Sequence, residues 1–574
     1  MNEKELLEYA CLKFEAGRYG EALEAFILAY QKGYEKEWIL QTLYECYINP
    51  NTDEFYKNYQ SNISRIQCKY EECILDFFPY LEGKYYIFDR ELKTFLGIYD
   101  VEACYGLNPK ETFMKDEFSS VVAEFDWDYR KITDFISAAK EKSVYLITTD
   151  SKRADSFWKI PEFAVAMQKV KIFESAEDFQ IFFHTHTDVY LPRQVFTENN
   201  QRLKELSQLI EKEHQYRITA EGRNTDHIIL TIGIPTHNRG NILLKRLKNL
   251  MEMPYDAEIE IVVSKNGNAL YQEEYQSVSQ IEDARLRYFN IDQELKPHEN
   301  WYNVIRNSKG KFVLLISDED DLNIDALGHY LYLLKKNPQL SQVRAKTTGE
   351  YARLEKAYGE KGVDAFSKVF LQQNYLSGLI VNREIFLEQN VLKYDKYKDN
   401  VFYQNYPHEW WCAALSMAGD CMREPVTLVI ENDNVLEEEI TMYEKMGLVE
   451  EGTLIDKVNK LVFYATYESR FEQFQGQVEF LELFMKDNQS GTQIGLRMAI
   501  HKLAYLLKLA RRQDYKKEIF EDVVEEFVKI SEKGMDELRL SDKEQVQILM
   551  LIKYEAIEMI NYNNELLENE RKPI

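Results

Sequence analysis

The sequence predicts an α/β protein built on a doubly wound, mostly parallel sheet, with helical regions on both flanks. Two observations carry that prediction. From residue 228 onward, short apolar runs rich in β-branched residues alternate with amphipathic helical segments, the pattern of consecutive βαβ units. Beyond Pro425 there is no proline until Pro573, and apolar residues there recur at helical spacing.

The first flank is the stretch 1–80. "YACLKFEAGRYGEALEAFILAY" places Ala10, Phe14, Gly17, Tyr19, Ala22, Phe26 and Ala29 where two antiparallel helices would touch. Small residues allow close approach and aromatic residues fill the gap. This is similar to one tetratricopeptide repeat, and an ordinary helical hairpin fits equally well. Residues 81–222 read as a mixed α/β accessory region. "KYYIFD", "KTFLGIYD", "SVYLITTD" and "FQIFFHTHTD" are β-rich. The polar helix 198–215 and the linker "TAEGRNTD" (219–226) follow.

The central region, 223–435, supplies the parallel sheet. "IILTIGI", "EIEIVV", "LRYFNI" and "KFVLLIS" are its strands. Leu243, Leu247 and Leu250 share one face of the helix after the first strand, and a helix around "NWYNVIRNS" precedes the fourth. The last region, 436–574, is read as helical from Leu496, Ile500, Leu503, Leu507 and Ala510, and from Phe520, Val523, Phe527 and Ile530. Turn signals fall at "DNQSG" (487–491) and "EKGMD" (532–536).

Charge and cysteine usage exclude several function classes. A net charge of −26 disfavours nucleic acid or an anionic membrane surface as a partner. The seven cysteines are scattered with no CxxC pair, which suits free thiols in a reducing compartment. No signal-peptide core and no membrane-length apolar run is present, so the expectation is a soluble, cytoplasmic protein.

In doubly wound sheets, ligands sit outside the carboxyl ends of the strands. Three polar clusters fall there: "PTHNR" (235–239), "SKNGN" (264–268) and "SDEDD" (317–321). The last is unusual, because five apolar residues, Phe312–Ile316, run straight into four acids. Continued strand alternation sends Asp318 and Asp320 to one side and Glu319 to the other. Taken alone, this stretch fits a metal site or a solvated acidic loop.

Taken in order, "LTIGIPTHNRGNILLKRLKNL", "HENWYNVIRNSKGKFVLLISDEDDL", "NYLSGLIVNREIF" and "YPHEWWCAALSMAGD" resemble the family 2 glycosyltransferases. The resemblance covers about 228–435 and implies a GT-A fold. It also implies a metal-dependent, inverting transfer of a sugar from a nucleotide-sugar donor, most simply UDP-linked, to a hydroxyl acceptor. The chemistry suits the residues. As the glycosidic bond breaks, the diphosphate oxygens gain negative charge, which Mn²⁺ or Mg²⁺ neutralises as a Lewis acid. Such ions need only one or two carboxylates besides phosphate and water.

By the resemblance, Asp320 is the metal ligand and Asp318 contacts the ribose, the sugar or a metal-bound water. Asp321 either supports the site or caps a helix starting near Asn323. Pro235, Thr236, His237 and Asn238 would cradle the base and ribose. Arg239 would pair with the diphosphate or a nearby acid. Asn300, Ser377 and Gly378 would lie along the donor or acceptor path. Family members commonly have an aspartate at or beside Lys265 to read the base. Here Asn266 offers an amide instead. The expected general base is Glu409, in the first turn of a helix opened by Pro407, with His408 as the second candidate. "HTHTD" (His184, His186) has two rings on one strand face but no third metal ligand in view.

The acceptor is not readable from the sequence; the resemblance leaves a cell-surface glycan or a protein, and the helical flanks suggest protein partners. Two other readings stand beside this one. The first is a non-catalytic sugar-nucleotide scaffold, kept in play by Lys265. The second is a nucleotidyltransferase, although "GIPTHNRGN" is poor in the glycines and cations of that class.

Overall fold

The computed structural model describes residues 1–63, 66, 68–101, 118–125, 128–139, 142–148, 150–166, 169–267, 271–349, 352–369, 375–388, 401–432, 466–485, 487–512 and 519–570. The chain divides into two compact units, Met1–Arg217 and Ile218–Ile574.

The first unit opens with helices α1 (Glu3–Glu15) and α2 (Tyr19–Gln31). Ala10, Ala22, Phe26 and Ala29 are buried between them, because small side chains let the helix axes approach. Helices α3 (Lys36–Leu43) and α4 (Thr52–Ser61) follow. The helical stretch ends sooner than the predicted residue 80. Leu75–Leu81 is already strand β1, and it forms an antiparallel meander with β2 (Lys84–Asp89) and β3 (Thr94–Asp100). Phe78, Phe88 and Phe95 from the meander share one core with α2.

Next comes a four-stranded parallel sheet of β4 (Val121–Glu124), β5 (Val144–Ile147), β6 (Val170–Phe173) and β7 (Gln194–Thr197), in the order β6-β5-β4-β7. Helices α5 (Tyr129–Ala138), α6 (Ala176–Thr185) and α7 (Asn200–Arg217) accompany it. The predicted strand "FQIFFHTHTD" is in fact α6. Ser175 caps it by accepting the Asp178 N–H, and Phe179 and Phe183, one turn apart, bury together. His184 and His186 therefore share no strand face. His184 pairs with Glu213 at 3.0 Å, and His186 Nδ1 lies 3.0 Å from the Phe182 carbonyl.

The second unit contains the predicted alternation. β8 (Leu230–Thr236), α8 (Gly240–Met251), β9 (Ile259–Asn266), α9 (Gln272–Ser279), β10 (Leu286–Ile291), α10 (Pro297–Asn307) and β11 (Phe312–Leu315) follow in turn. These four strands are parallel in the order β10-β9-β8-β11. Every residue of β8, β9 and β11 is buried, as expected of strands covered on both faces.

The chain continues through β12 (Asp321–Leu322), α11 (Leu327–Lys336), β13 (Leu340–Thr347), β14 (Ala357–Gly359), β15 (Leu379–Asn382), α12 (Pro407–Ala418) and β16 (Asp420–Ile430). β15 joins β11 antiparallel and passes the sheet on to β13, β16 and β12. This is a mixed sheet on a doubly wound core, the GT-A arrangement that the sequence predicted.

Four helices complete the unit: α13 (Tyr467–Met485), α14 (Gln489–Arg512), α15 (Phe520–Glu537) and α16 (Asp542–Glu570). They share one core with α12, in which Trp410 stacks edge-on against Phe480 at 5.4 Å. The predicted turn "EKGMD" lies inside α15. Gly534 is there to let helices touch, since a Cβ on it would sit 2.9 Å from Val478 Cγ2.

Candidate active site

The carboxyl ends of β8 and β11 face the point where the winding reverses, since β9 and β10 extend the sheet to one side of β8 and β11 to the other. Such a switch point opens a crevice. Two chain segments line it, Thr236–Arg239 and Ile316–Asp321.

The acidic segment is a turn rather than an extension of the strand. β11 ends at Leu315, and the Asp320 N–H donates back to the Ser317 carbonyl at 3.2 Å. Strand alternation therefore does not apply. Glu319, predicted to point away, shares Arg239 Nη1 with Asp318, at 2.8 and 2.9 Å. Asp321 is no helix cap. It sits in β12 opposite Ile430 and pairs with Arg246, whose Nη2 also donates to the Glu319 carbonyl at 3.1 Å.

Asp318 and Asp320 are both buried, 4% and 3% exposed. The Asp320 carboxylate receives neutral donors: Tyr375 OH on Oδ2 at 2.7 Å, the Asn432 N–H on Oδ1 at 3.3 Å, and Ser377 Oγ. Burial pushes the Asp320 carboxyl above its usual range. Its hydrogen bonds oppose that shift, and the charge on Asp318 adds to it. A cation beside this pair would relieve both the burial and the repulsion, and the hard oxygen donors fit Mn²⁺ or Mg²⁺. Among the described residues no three His, Cys, Asp or Glu side chains converge as a complete cage, so phosphate and water oxygens would have to finish the coordination. A cavity of about 360 Å³ adjoins the turn, with Ile234, Arg246, Asn249, Asp318, Asp320 and Asp321 among its walls.

The other predicted donor contacts fall into two groups. His237, Asn238 and Arg239 lie on the loop after β8. His237 Nδ1–H donates to the Asn266 carbonyl at 2.9 Å, and Asn238 takes a left-handed backbone with φ of 58°. The remainder serve the frame. Pro235 and Thr236 still belong to β8, paired with Ser264 and Lys265 of β9. Thr236 Oγ1 lies 2.8 Å from Tyr275 OH, which also accepts the Arg239 N–H at 3.1 Å.

Asn266 spends its amide on the loop before α10, donating to the Leu295 carbonyl at 2.7 Å and accepting the Leu295 N–H at 2.6 Å. It is not presented to a base edge. Asn300 is buried and accepts from Ser264 Oγ at 2.5 Å, tying α10 to β9. Lys265 donates to Asn290 Oδ1 at 3.0 Å and lies 5.5 Å from the Tyr275 ring centre.

Ser377 and Gly378 brace the acidic turn. The Ser317 N–H donates to Ser377 Oγ at 2.8 Å, and the Gly378 N–H donates to the Leu315 carbonyl at 2.9 Å. Gly378 has φ of 82°, a left-handed conformation that favours glycine.

Glu409 departs most from expectation. It is 0% exposed. Oε1 pairs with Lys502 of α14 at 2.9 Å and accepts from Gln473, and Oε2 accepts from Gln477 at 2.6 Å. Its side of α12 is covered by α13 and α14, so this carboxylate serves the helical core. His408, 7% exposed, is buried in the same first turn.

Sequence reasoning missed Tyr375, Arg246 and Tyr275. Only a tyrosine at the edge of a quoted motif marked the first, and nothing local marked the other two.

Residues 231–434 match the model of the family described as Glycosyl transferase family 2. A protein of Campylobacter jejuni, GalNAc(5)-diNAcBac-PP-undecaprenol beta-1,3-glucosyltransferase, is 25% identical over 192 residues, which are 30% of this chain and 61% of that enzyme. The chain thus spans about three fifths of that relative. Among solved structures, S. aureus TarS 1-349 in complex with UDP-GlcNAc is 11% identical, with a TM-score of 0.30, over 54% of this chain and 92% of that one. The mannosyltransferase PcManGT from Pyrobaculum calidifontis, in complex with GDP-Man and Mn2+, is 13% identical, with a TM-score of 0.31, over 58% of this chain and 88% of that one. Residues 231–434, which span nearly all of the mixed sheet from β8 to β16, are thus similar to the family 2 glycosyltransferases.

Proposed function

We propose that the protein is a metal-dependent, inverting glycosyltransferase. It would move a sugar from a nucleotide-sugar donor, most simply UDP-linked, to a hydroxyl of a cell-surface glycan or protein. The observation that carries this is the buried Asp318–Asp320 pair at the switch point, with Asp320 held by neutral donors.

Asp320, assisted by Asp318, would hold Mn²⁺ or Mg²⁺, which supplies Lewis-acid stabilisation of the departing diphosphate. Arg239 pairs with Asp318 and would meet a phosphate bound at the same turn. The bond between the anomeric carbon and the diphosphate breaks as the acceptor oxygen attacks from the opposite face. The acceptor proton passes to a base. Glu409 is committed to Lys502, Gln473 and Gln477, which favours His408 of the two candidate bases.

The likeness to the C. jejuni glucosyltransferase favours a glycan acceptor over a protein. A scaffold role is the second reading, favoured by the commitment of Lys265 and Asn266 to their own neighbours. Among the described residues no helix is long and apolar enough to cross a membrane.

A donor panel separates these readings. The full chain is incubated with UDP- and GDP-sugars in Mn²⁺, and release of free nucleoside diphosphate is followed. Slow hydrolysis of one donor, abolished by excess chelator, is the expected result. Donor binding without turnover would favour the scaffold, and release of pyrophosphate would favour a nucleotidyltransferase.

A further inference from the structure

Arg344 lies in the middle of β13 and is 0% exposed. Its guanidinium forks between two backbone carbonyls of one loop, donating from Nη1 to Ser377 and from Nη2 to Tyr375, both at 2.8 Å. That loop is also fastened to the acidic turn. The Tyr375 hydroxyl donates to Asp320 Oδ2 at 2.7 Å, and Ser377 Oγ accepts the Ser317 N–H at 2.8 Å. A buried cation at the back, a two-carbonyl grip and a phenol on the carboxylate thus form one continuous chain of bonds.

We propose that Arg344 and Tyr375 are positioning residues, which set the orientation of the Asp320 carboxylate toward a divalent cation. The inference rests on the metal-dependent reading above. Tyr375 takes Oδ2, while the contact to Oδ1 from the Asn432 N–H is long at 3.3 Å. The phenol on Oδ2, the Asn432 N–H on Oδ1 and Ser377 Oγ together set the rotation of the carboxylate. Without the phenol the carboxylate keeps only Ser377 Oγ and the Asn432 N–H among the donors described, and its rotation is less restrained. Without the guanidinium the loop carrying the phenol loses its two-point anchor, which a lysine ammonium does not reproduce because it lacks the planar fork.

The test titrates MnCl₂ into the full chain in saturating UDP by calorimetry, for wild type, Tyr375→Phe and Arg344→Lys. UDP affinity in excess chelator and thermal melting are measured alongside. Removing supporting bonds to a metal ligand typically weakens metal affinity about ten- to a hundredfold. The expected result is a loss of that size for Mn²⁺ in both variants, with chelator-phase UDP binding and the melting curve of Tyr375→Phe unchanged. If Arg344→Lys does not fold, Tyr375→Phe carries the test alone. Unchanged or tighter Mn²⁺ binding by Tyr375→Phe overturns the inference, as does an equal loss of metal-free UDP binding. If wild type itself takes up no Mn²⁺, it is the metal-dependent reading that falls.

Discussion

In residues 118–217, and again in residues 228–315, four parallel strands adopt the spatial order third, second, first, fourth. Each sheet therefore has a switch point beside its first strand, between β4 and β7 in one case and between β8 and β11 in the other. The two ends differ in how their acids are held. At the end of β4, Glu124 meets Arg202 Nε at 2.9 Å, and Arg202 Nη1 also holds Glu205 at 2.6 Å. That acid is neutralised by a cation from its own unit. At the end of β11, Arg239 serves Asp318 and Glu319, while Asp320 is buried among the phenol of Tyr375, the hydroxyl of Ser377 and a backbone N–H. Topology supplies a crevice in both places. A buried carboxylate that meets no cation among the described residues distinguishes the second as a candidate cation site.

The sharpest way to break this comparison is Asp320→Asn. It keeps the shape of the side chain and removes the charge. Loss of transition-state stabilisation worth several kcal/mol corresponds to a turnover loss on the order of a thousandfold. Mn²⁺-stimulated UDP binding should vanish in calorimetry, while the melting temperature holds or rises because a penalised charge is gone. Wild-type turnover in this variant would put the two switch points on an equal footing.

Lys502→Met tests a different use of a buried acid. It strands the Glu409 carboxylate without its cation, which costs about 3–5 kcal/mol, readable as a lower midpoint in urea denaturation. Combining it with Glu409→Gln should recover much of that loss, because the two residues share one interaction. If Lys502→Met leaves stability unchanged, the helical core does not depend on this pair. The smallest effect is expected at Glu124→Gln. Its partner Arg202 is more than a third exposed, so screening should hold the cost to about 1 kcal/mol or less, with UDP affinity unchanged. A shift in UDP affinity there would bring the first sheet into the donor site.

Much of the second unit's architecture was legible. Fully buried parallel strands leave uninterrupted apolar runs, and "IILTIGI", "EIEIVV" and "KFVLLIS" all became such strands. The error in the first unit has the opposite cause. "FQIFFHT" is apolar enough for either state, and the Ser175 cap and Leu206 and Ile210 of α7, which share its core, made it a helix. In the site, the positions of the acids were legible but their directions were not. Alternation assumed a strand where the chain turns at Ser317–Asp320. The fate of Asn266 was equally hidden, because its partner Leu295 is 29 residues away. In the run "LSQVRAKT", buried at every position but Lys346, Arg344 had to find acceptors, and nothing local showed which ones.

By itself, the sequence determined what is local and periodic. That includes the alternation of strands and helices, the helical tail, and the arrival of acids at the end of a core strand. Burial of apolar surface at a fixed period sets these features, and neighbouring residues suffice to read it. The tertiary structure decided which polar groups meet. It closed Glu409 under α13 and α14, spent Asn266 on a loop, and left Asp320 among neutral donors clamped through Tyr375 by Arg344. The worth of a buried charge depends on its partners and on its distance from water. Both are set by chain segments far apart in sequence.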